Sequence, residues 1–207
     1  VYAYKFSGEF RVRCVARGDR QHPDTVGTTY APTASMYSVR LFYLIAIEER
    51  HEVRNGDVPQ AFLRGVQDEA LYVWAPHSER AFLGEIWQCL LPLYGFRSSA
   101  AYWFRTAKEF LENLGFVMDP MAVCHFRKFL TEDCDTFVQL ILVVDDYACS
   151  GPTEAVDHIH SMWAQKFNAT TENGKMFVGY DIDYNLQEGY VKLSFTSYIH
   201  RMLERFA

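Results

Sequence analysis

The stretch that decides the fold is Leu140-Ile141-Leu142-Val143-Val144-Asp145-Asp146-Tyr147-Ala148-Cys149. Five apolar residues run directly into two adjacent carboxylates, after which the chain becomes apolar again. Ionised Asp is costly to bury without a partner, and neighbouring carboxylates repel each other unless a cation compensates them. One interpretation is a polar hairpin turn, in which Asp is common. The other is a divalent metal site, whose hard oxygen ligands favour Mg²⁺ or Mn²⁺ over zinc.

A third carboxylate, Asp57, lies near the end of another short candidate strand over residues 53–58. Pro59 follows, so this strand cannot continue as a central member of a sheet. If this strand and the strand that ends at Asp145 are neighbours in one sheet, the three carboxylates converge. Such a cluster can hold two metal ions about 4 Å apart for an in-line phosphoryl displacement.

Composition predicts a globular chain. It has 207 residues, of which 49% are hydrophobic, so we expect a substantial core and no disorder. No apolar run reaches the roughly 18 residues that span a bilayer, and Val1 in place of Met indicates an excised fragment. The net charge of −6 argues mildly against nucleic-acid binding. Arg11 and Arg13 would share one face of a strand, where they bind phosphates or face solvent.

Cysteine and histidine spacing gives no sign of a zinc site. The cysteines are widely separated and most have apolar neighbours; they are Cys14, Cys89, Cys124, Cys134 and Cys149. We therefore expect reduced core thiols in a cytosolic or nuclear protein. His158 and His160 lie two residues apart on a predicted helix, and we interpret both as surface residues.

Hydrophobic spacing and turn signals predict interleaved strands and helices, without repeats or linkers. Helices are predicted from Ser35, as the N-cap, to about 50, from 98 or 99 to 114, over 153–166, and from 196 to 206. Strands are predicted over 1–6, 10–17, 53–58, 71–74, 123–129, 137–144, 175–184 and 189–194. This order, with its antiparallel hairpins, is typical of an α+β fold.

Five blocks of sequence together identify a family. They are Arg11-Val12-Arg13-Cys14-Val15-Ala16-Arg17-Gly18; Thr29-Tyr30-Ala31-Pro32-Thr33-Ala34-Ser35; Asp57-Val58-Pro59-Gln60-Ala61-Phe62-Leu63-Arg64-Gly65; Leu93-Tyr94-Gly95-Phe96-Arg97 with Ala101-Tyr102-Trp103-Phe104; and Val143-Val144-Asp145-Asp146. In this order and at this spacing they resemble five motifs of copia-type LTR retrotransposon reverse transcriptases. In the same order, these are the fingers motif, the Thr-Phe-Ala-Pro-Val-Ala segment, the Asp-Val-x-x-Ala-Phe-Leu-x-Gly block, the Leu-Tyr-Gly-Leu-Lys block and the Tyr-Val-Asp-Asp motif. The resemblance covers nearly the whole chain.

The resemblance implies an α+β fold with reverse-transcriptase fingers and palm, in which helices back an antiparallel palm sheet. Residues 1–34 and about 66–97 would be fingers-like, the remainder would be palm, and 189–207 would lead toward a thumb. The implied activity is that of an RNA-directed DNA polymerase, which adds deoxynucleotides to a primer 3′ end by two-metal phosphoryl transfer. The alternatives are a catalytically decayed or repurposed nucleic-acid-binding module, and an unrelated palm-type enzyme such as a nucleotide cyclase.

Site roles follow from the resemblance, position by position. The implied catalytic residues are Asp57, Asp145 and Asp146, which with the backbone carbonyl of Val58 would bind two Mg²⁺ ions, or Mn²⁺. The implied nucleotide-binding residues are Arg11, Arg13, Gln60, Ala61, Phe62, Tyr94 and Gly95. The Phe62 ring would exclude a 2′-hydroxyl. Val143 departs from the family, which has a Tyr there that packs beside the primer terminus.

The resemblance also implies partners. These are an RNA or DNA template with its primer, a deoxynucleoside triphosphate, and the RNase H and integrase regions of the same polyprotein, with no membrane. The implied location is the cytoplasm, in virus-like particles, with the nucleus as a second location and no secretion. The oligomeric state is not implied.

Overall fold

The computed structural model describes residues 2–4, 10–76, 79, 82–172 and 174–206 of the chain. Its α-helices are Met36–Glu48 (α1), Ala61–Arg64 (α2), Ser99–Asn113 (α3), Thr153–Phe167 (α4) and Thr196–Phe206 (α5). Short 3₁₀ turns span Gly18–Arg20 and Pro23–Thr25. Within these described ranges, no helix combines the length and apolar character needed to cross a bilayer.

Strands pair antiparallel throughout the described ranges. They are Tyr2–Tyr4 (β1), Phe10–Val12 (β2), Glu52–Asp57 (β3), Leu71–Trp74 (β4), Ile86–Cys89 (β5), Val117–Met118 (β6), His125–Phe129 (β7), Phe137–Val143 (β8), Asp146–Gly151 (β9), Thr170–Glu172 (β10), Met176–Phe177 (β11), Tyr180–Asn185 (β12) and Tyr190–Ser194 (β13). The largest sheet has six strands in the order β10-β3-β9-β8-β7-β6. Smaller sheets are β1-β2, β4-β5 and β11-β12-β13.

The chain divides into two compact units. The first comprises residues 1–31 and 60–109, and its small core is built on Leu71, Cys89 and Tyr102. The second comprises residues 32–59 and 110–207, and it contains the six-stranded sheet together with α1, α4 and α5.

β8 lies inside the second unit, and all seven of its residues are buried. This burial accounts for its nearly continuous apolar sequence. Its polar residue, Gln139, is bonded at both ends of its amide. The nitrogen donates to the Phe42 carbonyl at 3.1 Å and to Ser150 Oγ at 2.9 Å, and the oxygen lies 2.7 Å from His125 Nε2. A buried amide is tolerated in this strand because its hydrogen bonds are made.

Helices cover both faces of the six-stranded sheet. Asn55 of β3 accepts a hydrogen bond from the Tyr43 hydroxyl of α1 at 3.2 Å. The adjacent residue, Arg54, donates to Asp157 of α4 at 3.0 Å. Because successive strand residues point to opposite faces, α1 and α4 pack on opposite sides of the sheet.

The predicted α+β class is confirmed in its coarse form, since antiparallel sheets combine with several helices. The four long helices lie where hydrophobic spacing predicts them, and Ser35 caps α1 by accepting a hydrogen bond from the Ser38 amide at 3.0 Å. The predicted strand over 10–17 ends at Val12, and the predicted strand over 175–184 is two strands, β11 and β12. The sequence prediction also lacks β5, β6, β9 and β10, of which β6 and β10 have only two and three residues. β5 has three exposed residues of four, and β9 begins on a carboxylate, so neither carries a clear strand pattern.

All five cysteines lie in the described ranges and are free. Three are buried as expected, and burial raises the pKa of the Cys124 thiol to about 12. The interpretation of His160 as a surface residue is wrong, because its side chain lies on the buried stripe of α4 and the residue is only 8% exposed. His158 is exposed, as predicted.

Candidate active site

The hairpin of β8 and β9 turns through the two residues Val144 and Asp145, with Val143 paired opposite Asp146. Val144 has a φ of +59°, whereas Asp145 does not have a positive φ. A positive φ at a hairpin turn position normally requires Gly, Asn or Asp. A β-branched residue in this region is strained, and such strain clusters at functional sites. The hairpin-turn interpretation of this motif is therefore right about its local structure.

The same turn also forms part of a carboxylate cluster. β3 pairs with β9 so that Asp57 lies opposite Asp146, and the Val58 amide donates to the Asp145 carbonyl at 2.9 Å. One carboxylate oxygen from each of Asp57, Asp145 and Asp146 lies within 4.8 Å of the other two. Asp145 is exposed and the other two are half-buried. The two sequence interpretations therefore describe one structure, a hairpin turn that brings carboxylates together.

The donor set of this cluster fits a hard divalent cation. Three carboxylates at this spacing repel one another, so a cation among them is favourable. Their ligand atoms are all oxygen, the donor type that Mg²⁺ and Mn²⁺ prefer, and no thiol or imidazole belongs to the group. Asp145, the exposed member, is accessible to solvent. The residues present are thus suitable for the metals that the sequence predicts.

The opposite face of the same two strands is packed, and sequence reasoning does not find it. Tyr147 is fully buried and lies opposite Gly56 in the ladder. Its ring stacks on Trp163 of α4 at 4.6 Å with an interplanar angle of 17°. Its hydroxyl lies 2.9 Å from His160 Nδ1. Burial raises the pKa of Tyr147 and lowers the pKa of His160, and both shifts favour the neutral form of the group.

In the first unit, three of the predicted nucleotide-binding residues lie together. The rings of Phe62 and Tyr94 meet with centroids 5.2 Å apart, tilted by 46°. The Arg13 guanidinium lies 5.1 Å from the centre of the Tyr94 ring, in cation–π contact. The segment that carries Tyr94 is fixed by backbone hydrogen bonding, since the Ala16 amide donates to the Tyr94 carbonyl at 2.7 Å.

The remaining predicted residues have varied surroundings. Gly95 has a φ of +95°, and a Cβ there would collide with the Ala16 carbonyl oxygen. Gln60 is exposed in the left-handed conformation just before α2, and Ala61 is buried as the first residue of that helix. The backbone of Arg11 pairs with Ala3, while its side chain lies outside the described structure.

Comparisons with known proteins give a family match and a curated relative. The family model described as reverse transcriptase (RNA-dependent DNA polymerase) matches residues 1–207. A curated relative, the truncated transposon Ty1-A Gag-Pol polyprotein of Saccharomyces cerevisiae (strain ATCC 204508 / S288c), is 30% identical over 112 residues. The match covers 54% of this chain and 9% of the polyprotein, so it spans less than a tenth of that relative. No solved structure gives a significant match.

Proposed function

The chain belongs to the reverse transcriptase (RNA-dependent DNA polymerase) family, in its copia type, and from this we propose that it extends primer 3′ ends with deoxynucleotides on an RNA template. The observation that carries the proposal is the convergence of Asp57, Asp145 and Asp146 at one end of the sheet. The reaction is a phosphoryl transfer in which the primer 3′-hydroxyl attacks the nucleotide α-phosphorus and pyrophosphate leaves.

In this proposal the three carboxylates hold two Mg²⁺ ions, or Mn²⁺, with the Val58 carbonyl as a further ligand. Ions bound there would lower the pKa of the attacking hydroxyl and neutralise charge on the leaving pyrophosphate. The chain's own contribution is rigidity. Asp57 and Asp146 lie on paired strands, and the hydrogen bond from the Val58 amide to Asp145 fixes the turn against the end of β3. Carboxylates fixed in this way need little rearrangement to bind metal.

Nucleotide binding is assigned to side chains and amides of the first unit. The Arg13 guanidinium pairs with phosphate oxygens, and the Phe62 ring contacts the sugar and excludes a 2′-hydroxyl. The contact of Tyr94 with both side chains supports these roles, because it limits their freedom. The other members of the proposed set are Arg11, Gln60, Ala61 and Gly95.

We also propose a division of the chain into the subdomains of the family. Residues 1–34 and about 66–97 would be the fingers and the remainder the palm, with residues 189–207 leading toward a thumb. Template, primer and deoxynucleoside triphosphate would be the ligands. The RNase H and integrase regions of the same polyprotein would be its protein partners. Its location would be virus-like particles in the cytoplasm, with the nucleus as a second location.

Primer extension tests the proposed reaction. We expect the full chain with its flanking polyprotein to extend a DNA primer on an RNA template with Mg²⁺ or Mn²⁺. Asp145→Asn should abolish extension, while Asp135→Asn, an exposed Asp in the same unit, should leave it unchanged. Wild-type protein that binds template–primer but incorporates no nucleotide would contradict the proposal and favour the decayed module.

The proposed role of Phe62 has a separate test. Phe62→Ala should raise incorporation of ribonucleotides relative to deoxynucleotides by about 10- to 100-fold, as expected for loss of a steric contact. Phe82→Ala is a suitable control because Phe82 belongs to the same unit and is 65% exposed. Unchanged sugar selectivity in the Phe62 variant would refute the role without touching the metal site.

A further inference from the structure

We propose that Gly56 and Tyr147 are a matched pair of positioning residues that sets the register of β3 against β9, and with it the spacing of Asp57 and Asp146. The chemical meaning of this spacing rests on the proposed function, while the pairing itself rests on packing. Neither residue would touch the metal ions or the substrate. Both act through the carboxylate next to them in the chain.

The first observation is the close approach of the Tyr147 ring to the backbone of Gly56. A Cβ on Gly56 would lie 2.5 Å from Tyr147 Cζ and 2.6 Å from both Cε1 and the hydroxyl oxygen. Carbon atoms in normal van der Waals contact are about 3.5–4.0 Å apart. The ring therefore occupies the place that a side chain on residue 56 would take, and only Gly fits this arrangement.

The second observation is that the Tyr147 ring has no room to move. The residue is 0% exposed, and its ring is stacked on Trp163, which is also 0% exposed. Its hydroxyl is tied to His160 at 2.9 Å. Since α4 supplies both neighbours, this helix fixes the ring. A collision at residue 56 must then be relieved by movement of β3.

The third observation is the alternation along the two strands. Gly56 and Tyr147 form one cross-strand pair, and Asp57 and Asp146 form the next. Successive residues of a strand point to opposite faces, so one pair packs on α4 while the other carries the carboxylates. Any displacement of β3 at Gly56 is passed directly to Asp57 through one peptide bond.

The experiment measures Mn²⁺ affinity and Val58 amide exchange in four forms of the full chain: wild type, Gly56→Ala, Tyr147→Leu, and the double variant. We expect Gly56→Ala to weaken Mn²⁺ binding by about tenfold, a typical cost of disturbing groups behind metal ligands. It should also speed hydrogen exchange of the Val58 amide by about tenfold, because the hydrogen bond to Asp145 is loosened.

The double variant isolates the pairing, because leucine removes the ring with which the new methyl group collides. We expect Tyr147→Leu to restore both readouts of Gly56→Ala to within about threefold of wild type, a coupling typical of residues in contact. Gly151→Ala is the matched control. Gly151 pairs with Glu52 at the far end of β3 and β9, and a Cβ there would lie 3.1 Å from the Val138 side chain. This change should lower stability and leave Mn²⁺ affinity and Val58 exchange unchanged.

The outcomes separate the two proposals. If the wild type binds no Mn²⁺, or if Asp145→Asn binds it as well as the wild type, the proposed function is contradicted. Hydrogen exchange of the Val58 amide would still test the pairing of Gly56 with Tyr147 in that case. Unchanged Val58 exchange in Gly56→Ala would overturn the pairing. If Gly56→Ala does not fold, recovery of folding in the double variant supports the pairing, and failure to recover overturns it.

Discussion

The two faces of the β3–β9 ladder differ sharply although they are built from adjacent residues. On one face, Gly56 and Tyr147 are buried against α4, and the tyrosine makes a ring stack and a hydrogen bond. On the other, Asp57 and Asp146 bring their carboxylates to within 4.8 Å of Asp145. The packed face, against α4, carries no charged residue at this position. The other face, called the open face below because Asp145 is exposed there, carries three carboxylates.

This difference shows how one pair of strands can be both rigid and reactive. Clustered carboxylates repel each other when no cation lies among them. Their positions must therefore be maintained by packing elsewhere, and the alternation of strand residues puts that packing one residue away. Substitutions on the open face should change chemistry alone, whereas substitutions on the packed face should change stability first.

The largest expected effect is on the open face. Asp57→Asn should reduce primer extension by at least about 10³-fold, as expected for loss of a charge that stabilises the transition state. The shape of the side chain is kept, so the free energy of unfolding should change by less than about 1 kcal/mol. Steady-state extension assays measure the change in activity, and urea denaturation measures the change in the free energy of unfolding. A large loss of stability would mean that the open face also supports the fold.

The second effect is on the packed face. Tyr147→Ala should lower the free energy of unfolding by about 3–5 kcal/mol, because a fully buried ring is replaced by a cavity. Tyr37→Ala provides the control, since Tyr37 is 80% exposed on α1, and its change should stay within about 0.5 kcal/mol. Equal effects of the two substitutions would show that the stacked ring carries no special weight.

A third test uses pH on the same packed face. Burial lowers the pKa of His160 from its ordinary 6.5, so the unfolded chain takes up a proton more readily than the folded one. The stabilising contribution of neutral His160 is full above pH 6.5 and is lost as the pH falls through that value toward the lower folded pKa.

Replacement of the buried imidazole should therefore weaken the pH dependence. His160→Gln should make the fall in unfolding free energy between pH 7.5 and 5.5 shallower, as measured by urea denaturation. His158→Gln, on the exposed side of the same helix, should leave the fall unchanged. A His160→Gln curve parallel to wild type would show that His160 does not contribute to the pH dependence of the free energy of unfolding. The dependence would then come from the other buried histidines, His51 and His125.

The smallest effect is expected at the edge of the packed face. Arg54 and Asp157 form a salt bridge at 3.0 Å, but their side chains are 39% and 57% exposed. Exposed ion pairs of this kind contribute little, because water and salt screen them. Asp157→Asn should change the free energy of unfolding by less than about 0.5 kcal/mol. A loss comparable to that of Tyr147→Ala would contradict the view that packing, and not surface charge, holds this face.

Sequence patterns predict much of the framework because its signals are local. The apolar run before Asp145 predicts β8. Helical spacing of four apolar residues predicts α1, and all four are buried: Val39, Phe42, Tyr43 and Ala46. His160 could have been placed correctly in the same way, since it falls on the stripe that includes Val156, Ile159 and Trp163. A separation of two residues puts His158 and His160 on different sides of the helix, and the side of His160 is buried.

Local sequence patterns do not predict the convergence of the carboxylates or the packing behind them. The sequence predicts that Asp57 and Asp145 approach each other if their strands are neighbours, but it does not predict that β9 lies between β3 and β8. The pairing of Gly56 with Tyr147 depends on cross-strand register over 91 positions, which no local pattern encodes. In the sequence, Gly56 resembles an ordinary turn residue, and only the structure shows that the Tyr147 ring packs against it.

A Mn²⁺ titration followed by electron paramagnetic resonance tests most directly the proposal that Asp57, Asp145 and Asp146 form one metal site. We expect saturable binding to the wild-type chain that is lost or strongly weakened in both Asp57→Asn and Asp145→Asn, with Asp135→Asn binding like wild type. Binding that is absent from the wild type, or that survives both substitutions unchanged, would contradict it.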